Sequence, residues 1–267
     1  MDERARHKMR PALAPLFALA VIVHACDACT TLIAGRLATT DGSTLAAHTD
    51  DGLTDPRIMY MPARSYTPNS SRAVYASPEV YPRYVGFDRG PFYHPQPGQN
   101  VSQPLGYIPQ VQHTFAYVQG TYGIMNEFGV GIAESTCSGV FVARPVGHGG
   151  DALFSVDELS YVAMERCKSS RCAVQTMGDL AVQHGFYGEG DYSEGSSESL
   201  MVHDGDEAFI FHVMPDPTGA SAIWVAQRVP DTHVAVVANM FVIRHVDLTD
   251  TFNFLGSANM FAIAEQQ

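Results

Sequence analysis

The sequence predicts an α+β fold, and three observations carry that prediction. Short β-branched and apolar runs broken by turn residues fill the chain before residue 142 and again after 196. Two helix-period segments lie between them, over residues 155 to 184. This order of strands, helix pair and strands segregates helices onto the faces of largely antiparallel sheet.

The 267 residues, 46% hydrophobic and 16% charged, suffice for one large domain or two small ones around a substantial core. A formal charge of −12 argues against a nucleic-acid partner and against adhesion to anionic membranes.

Arg4, Arg6, Lys8 and Arg10 precede an apolar run from Ala12 to Val23, with small residues after it. That is the layout of a secretory signal peptide, and the run is too short to span a bilayer comfortably. Residues 1 to 28 are therefore expected to be a signal peptide and short leader, with residues 29 to 267 as the mature domain. The expected destination is outside the cell or a secretory or lysosome-like compartment. Sequons at Asn69 and Asn100 fit that route. Five cysteines, an odd number, suggest one free thiol in a secreted chain; Cys167 and Cys172 can pair, and the spacing matches no zinc pattern.

The first element, "TTLIAGRLA" (residues 30 to 38), reads as a strand. "TDGS" (40 to 43) reads as a tight turn, and "TLAAHTD" as the returning strand. The hairpin brings Cys29 near His48 to Asp51. From 55 to 110, Pro56, Pro62, Pro68, Pro78, Pro82, Pro91, Pro95 and Pro97 exclude long helices and central strands. The interleaved tyrosines predict an ordered excursion with short edge strands, either walling a cleft or covering a surface.

Strand character returns in "VQHTFAYVQ" and "NEFGVGIAEST". Ser155 and Glu158 then stand at capping-box spacing, followed by Leu159, Val162, Ala163 and Cys167 at helical period. A second helix over 170 to 184 aligns Val174, Met177, Leu180 and Ala181 and stops at Gly185. "SESLMVHD", "EAFIFHVM", "SAIWVAQRV" and "THVAVVANM" predict a four-stranded antiparallel meander. "NMFAIAEQQ" ends the chain with helical character.

No Gly-rich phosphate loop, His-Glu-x-x-His or Gly-x-Ser-x-Gly is present, so the cysteine zone carries the chemistry. Signal peptidases favour small residues one and three positions before the cut, and Ala25/Val23 or Ala28/Cys26 both serve. A cut after Ala28 makes Cys29 the first residue. Its α-amine, partly neutral near pH 7.7–8.0, can then take the thiol proton, so nucleophile and base sit on one residue. Cys26 reads as a leader residue, a lipid-modified cysteine or a disulfide partner. From spacing alone, a structural disulfide at Cys29 is the commoner reading and the nucleophile the rarer one.

"CTTLIAGRLATTDGSTLAAHTDD" resembles the N-terminus of the C69 family of cysteine dipeptidases, which opens with Cys-Thr-Thr and runs through Asp-Gly-Ser-Thr to a polar cluster. The likeness continues collinearly through "GIMNEFGVGIAESTCSG", "LSYVAMERCKSSRCAVQTMGDLAVQHGFYGEG" and "SAIWVAQRVPDTHVAVVANMFVIR". It implies an N-terminal-nucleophile hydrolase fold, a four-layer αββα sandwich of antiparallel sheets. It also implies hydrolysis of dipeptides with no metal or organic cofactor. Cys29 would be the nucleophile, Asp51 the acid that holds its amine, and Asn239, ending a buried run, the oxyanion donor. His48 stands where the family often has arginine. Glu134, Ser135 and Thr136 end a strand and either face the cleft or lie in solvent. Glu134 or Asp50 would meet a dipeptide's ammonium, and Arg244 or backbone N–H groups its carboxylate. Family members generally run well past the matched region, so the domain is expected to be incomplete at its C-terminus. A related amidase acting on N-acyl substrates, an inactive remnant, a secreted binding domain and a homo-oligomer are left open.

Overall fold

A computed structural model describes residues 29–50, 58–76, 97–98, 100–189 and 195–266. The strands are β1 (Thr30–Ala34), β2 (Leu45–Thr49), β3 (Met59–Met61), β4 (Arg64–Ser65), β5 (Ser71–Tyr75), β6 (Pro104–Pro109), β7 (His113–Thr114), β8 (Tyr117–Gln119), β9 (Gly123–Asn126) and β10 (Gly131–Ser138). Helices α1 (Val156–Arg166) and α2 (Ser170–His184) follow. After them come β11 (Ser196–His203), β12 (Ala208–Pro215), β13 (Ala222–Arg228), β14 (Val234–Val237), β15 (Phe254–Gly256) and the short α3 (Met260–Ala264).

The helix pair forms as its sequence requires. Ser155 caps α1 by accepting from Glu158 N at 3.5 Å, and Ser169 caps α2 by accepting from Cys172 N. Gly185, at φ +79°, ends α2 in a conformation that L side chains rarely adopt. Cys167 and Cys172 form a disulfide between the two helices. Leu159, Val162, Met164, Val174 and Met177 are wholly buried against Leu200, Phe209, Phe211 and Trp224 of an eight-stranded sheet. Gly178 lets α2 approach that sheet, because a Cβ there would fall 2.1 Å from the Trp224 indole.

The sheet runs β15-β13-β12-β11-β10-β9-β8-β3, antiparallel throughout. Its strands alternate between two cores. Ile132, Leu200, Val202, Phe209 and Phe211 face the helices. Ala133, Cys137, Met201 and Ile210 face a second, three-stranded sheet of order β14-β1-β2. The described chain is therefore a helix pair, a large sheet and a small sheet in three layers. None of the described helices is long and apolar enough to cross a membrane.

Several expectations need correction. The first strand ends at Ala34, not 38, and ten residues join it to β2 rather than a tight turn. The Asp-Gly pair still bends the chain: Asp41 Oδ1 accepts from Ser43 N at 3.0 Å and Gly42 sits at φ +79°. The four-strand meander stops at three. β14 leaves it to pair with β1, and the freed edge of β13 is taken by β15, a strand the sequence reading did not foresee. The expected burial of "VAVVANM" fails for the same reason. As an edge strand of a small sheet, β14 leaves Val234 and Val236 more than half exposed, at 54% and 52%, and buries only Val237.

Candidate active site

The small sheet delivers its central strand to the site in layers. In β1, Ile33, Thr31 and, one step before the strand, Cys29 point to the inter-sheet face. Ile33 stands between Ala46 on β2 and Ala235 on β14, which is an apolar layer. Thr31 stands between His48 and Val237. Continuing both registers places Cys29 between Asp50 and Asn239. Apolar packing thus gives way to polar groups as the strand emerges, and Cys29 is the last buried member of the series.

The contacts agree with the register. Cys29 Sγ lies 3.8 Å from Asp50 Oδ1, a long thiol hydrogen bond. Thr30 N donates to Thr49 Oγ1 at 3.1 Å, and Thr31 Oγ1 donates to the Val237 carbonyl at 3.4 Å. From the large sheet, Ser135 Oγ donates to the Cys29 carbonyl at 3.3 Å and accepts from Asn239 N at 3.0 Å. Asn239 takes φ +51°, a left-handed conformation that asparagine tolerates, and so turns its side chain toward β10. Its Nδ2 donates to the Thr136 carbonyl at 2.6 Å. One Nδ2 hydrogen is left over, while Oδ1 is buried with no hydrogen-bond partner. The hairpin argument therefore places Cys29 beside Asp50, and Asn239 joins them from a strand some 200 residues on.

Not all candidates converge. Asp51 and residues 1–28, with Cys26, lie outside the described residues. His48 is exposed on the same face of β2 as Asp50, its ring 6.1 Å from that of Tyr122. Glu134, Ser135 and Thr136 do not end their strand, which runs on to Ser138, and they do not share a face. Ser135 faces Cys29, while Glu134 and Thr136 face the helix side, where Thr136 Oγ1 donates to Glu134 Oε1 at 3.0 Å. Solvent exposure is excluded for Glu134 and Ser135, both wholly buried. Arg244 is exposed, on a segment that Val242 N and Ile243 N anchor to His212 Nε2 on β12, two strands from β10. Two donors on that nitrogen require a neutral ring protonated at Nδ1, and burial pushes His212 down to about 4. Cys137 is buried outside the Cys167–Cys172 disulfide, and desolvation pushes its thiol up to about 12, away from reactivity.

Glu198 is the group the sequence reading passed over. It stands opposite Thr136 on β11, wholly buried, on the helix face with Leu200 and Val202. The alternation in "SESLMVH" carries the signal, since the glutamate falls on the inward phase. It lies within hydrogen-bonding reach of Glu134. Burial raises Glu134 to about 7, and burial followed by the Glu134 charge holds Glu198 well above the carboxylate range. Like charge and burial therefore both favour protonation of the pair.

Among the described residues no three His, Cys, Asp or Glu side chains converge to hold a metal ion. The site offers a buried thiol with a half-buried carboxylate and amide donor beside it, a set suited to acyl transfer.

Comparison with known proteins agrees with that chemistry. The model of peptidase family C69 matches residues 28–267. The chain is 26% identical over 244 residues to a probable dipeptidase A of Streptococcus pyogenes serotype M3, covering 87% of this chain and 44% of that protein. It is 24% identical over 250 residues to a probable dipeptidase of Salmonella dublin, covering 90% and 49%. The chain spans about half the length of the curated relatives it matches. With the family match running from the residue before Cys29 to the last residue, this chain belongs to peptidase family C69, a family of hydrolases acting on peptide bonds.

Proposed function

We propose that the protein is a secreted cysteine dipeptidase whose nucleophile, Cys29, becomes N-terminal when a leader is cut at Ala28–Cys29. The observation that carries this is the Asp50–Cys29–Asn239 layer at the rim of the small sheet. The start of the family match at residue 28 supports the position of the cut. On this reading the three described layers belong to a four-layer αββα sandwich.

The α-amine of Cys29 takes the thiol proton, and the thiolate attacks the scissile carbonyl. Asn239 Nδ2, already held by the Thr136 carbonyl, gives its second hydrogen to the oxyanion; one such donor is worth about 3–4 kcal/mol. The tetrahedral adduct collapses to a thioester as the protonated amine passes its proton to the departing amino acid. Water, deprotonated by the same amine, then releases the acyl group.

Asp50 makes a free amino terminus useful. A carboxylate beside the thiol disfavours the thiolate by like charge, and a substrate ammonium at Asp50 offsets that charge as it binds. Small peptides with free amino ends are therefore the expected substrates, and N-acyl amino acids, which carry no ammonium, are expected to be poor ones.

N-terminal sequencing of the secreted protein and a Cys29→Ser variant test the reading. A mature chain starting at Cys29 and a loss of hydrolysis in the variant are expected. A mature chain starting at Cys26 or earlier, or undiminished hydrolysis by the variant, contradicts it.

A further inference from the structure

We infer that Glu198 and Glu134 form a positioning pair for the Cys29 site, a single shared proton locking the segment of β10 from which Cys29 and Asn239 hang.

The geometry runs through three links. Glu198 stands directly opposite Thr136 across the β10–β11 ladder, within hydrogen-bonding reach of Glu134. Thr136 Oγ1 donates to Glu134 Oε1 at 3.0 Å, and the Thr136 carbonyl accepts from Asn239 Nδ2 at 2.6 Å. Ser135, between them in sequence, holds the Cys29 carbonyl and Asn239 N. Glu134, Ser135 and Thr136 therefore carry every bond named here between the large sheet and the reacting groups. Among the described residues the ladder from β10 to β9 consists of Gly131 with Met125, so no described strand pairs with that edge of β10 along this stretch. On its other edge β11 pairs with it throughout, and the carboxyl pair lies across that ladder on the helix face.

The pair is built against its own stability. Both side chains have no accessible surface, and apart from each other, among the described residues, both Glu198 oxygens meet no donor while Glu134 has only Thr136 and the Tyr122 hydroxyl in reach. Among the described residues the titratable groups named as acting on this pair, or on Tyr122 beside it, are acids, a phenol and a thiol. They are Asp50 after β2, Tyr122 between β8 and β9, Asp157 on α1, Glu189 beyond α2 and Cys137 on β10. Such a pair ionises in two steps that belong to both groups. In its singly protonated state Glu198 donates to an ionised Glu134, which also accepts from Thr136; these are charge-assisted bonds, stronger than neutral ones. Protonating Glu134 as well weakens both. Burial raises Glu134 to about 7, so the lock tightens as pH rises through neutrality, the range in which the Cys29 amine also becomes a base. A buried charge that weakens the fold and orders the site trades stability for function.

The inference rests on Cys29 being the nucleophile, and the test separates the two claims. Glu134→Gln and Glu198→Gln are compared with the wild-type chain in dipeptide hydrolysis from pH 5 to 9 and in thermal melts at pH 8. For Glu134→Gln, kcat at pH 8 is expected to fall about tenfold with KM nearly unchanged, as for a small misplacement of reacting groups, while Tm rises. The step near pH 7 in the wild-type profile is expected to vanish in that variant. Unchanged kcat, or kcat and Tm falling together, overturns the inference. Thr136→Val keeps both carboxyls and breaks the link between them and the site; lowered kcat without a gain in Tm supports the inference, and full activity overturns it. A wild-type chain that hydrolyses no dipeptide refutes the functional reading alone. The pair is then judged on the rate at which iodoacetamide alkylates Cys29 across the same pH range. A step near pH 7 that both Gln variants alter supports it, and superimposable profiles overturn it.

Discussion

Two buried charged clusters meet the first turn of α1, and they are built on opposite principles. Arg72 on β5 donates from Nη1 to Glu158 at 2.5 Å and bidentately to Glu165, from Nε at 2.8 Å and Nη2 at 2.9 Å. Each of the three side chains is about a tenth exposed, and each carboxylate meets the same guanidinium. One residue before Glu158, Asp157 lies on the Tyr122 side, and Tyr122 also feels Glu134 and Glu198, where acid faces acid. The first cluster gives each carboxylate a guanidinium partner and so holds β5 to α1. The second leaves charge uncompensated directly behind Cys29 and Asn239. Compensated burial marks scaffold here, and uncompensated burial marks the site.

The largest effect that tests this contrast is Arg72→Met. Two carboxylates would lose their common cation, and the fold is expected to lose about 3–5 kcal/mol. In a thermal melt that is a fall of roughly 10 °C or more. A loss under about 1 kcal/mol would show the cluster to be idle. Asn239→Ala, on the other side of the comparison, should leave the melt nearly unchanged and lower kcat by about a hundredfold or more. Equal damage to Tm would make Asn239 scaffold instead.

Glu134 supplies the third effect. Burial raises its carboxyl to about 7 in the folded chain, above the ordinary carboxylate range, so the folded chain holds this proton more tightly. The stability it contributes is complete below pH 4.5 and is lost as pH rises through 7. Chemical denaturation at pH 5 and pH 8 should show the loss in the wild-type chain and a smaller one in Glu134→Gln. A wild-type fold equally stable at both pH values would dissolve the contrast. The smallest effect belongs to Thr136→Val. Its hydroxyl lowers Glu134, so removing it should move the pH step upward, and a downward shift would contradict the assigned donor.

Local features of both regions were legible in the sequence. Capping at Ser155, the stop at Gly185 and the stripes of α1 and α2 follow from short-range chemistry, as does the return of β2 toward Cys29. The partner of β1 on its other side was not legible. β14 lies about 200 residues away and carries no local mark that distinguishes joining β1 from extending the meander. Asn239 was reached through the family resemblance rather than through pairing. The grouping of Glu134, Ser135 and Thr136 as neighbours facing one cleft ignored the period of two that sends alternate residues to opposite faces. The same period, applied to "SESLMVH", would have put Glu198 in the core. Arg72 with Glu158 and Glu165 was out of reach, because nothing local joins β5 to a helix some 90 residues on.

The central claim is that Cys29, as the first residue of the mature chain, carries the acyl group. It is tested most directly by mass spectrometry of secreted protein quenched during turnover of a dipeptide. The account predicts a mature chain beginning at Cys29 with a thioester adduct on that residue. A chain that retains residues before Cys29 and still turns over, or an adduct mapped elsewhere, would contradict it.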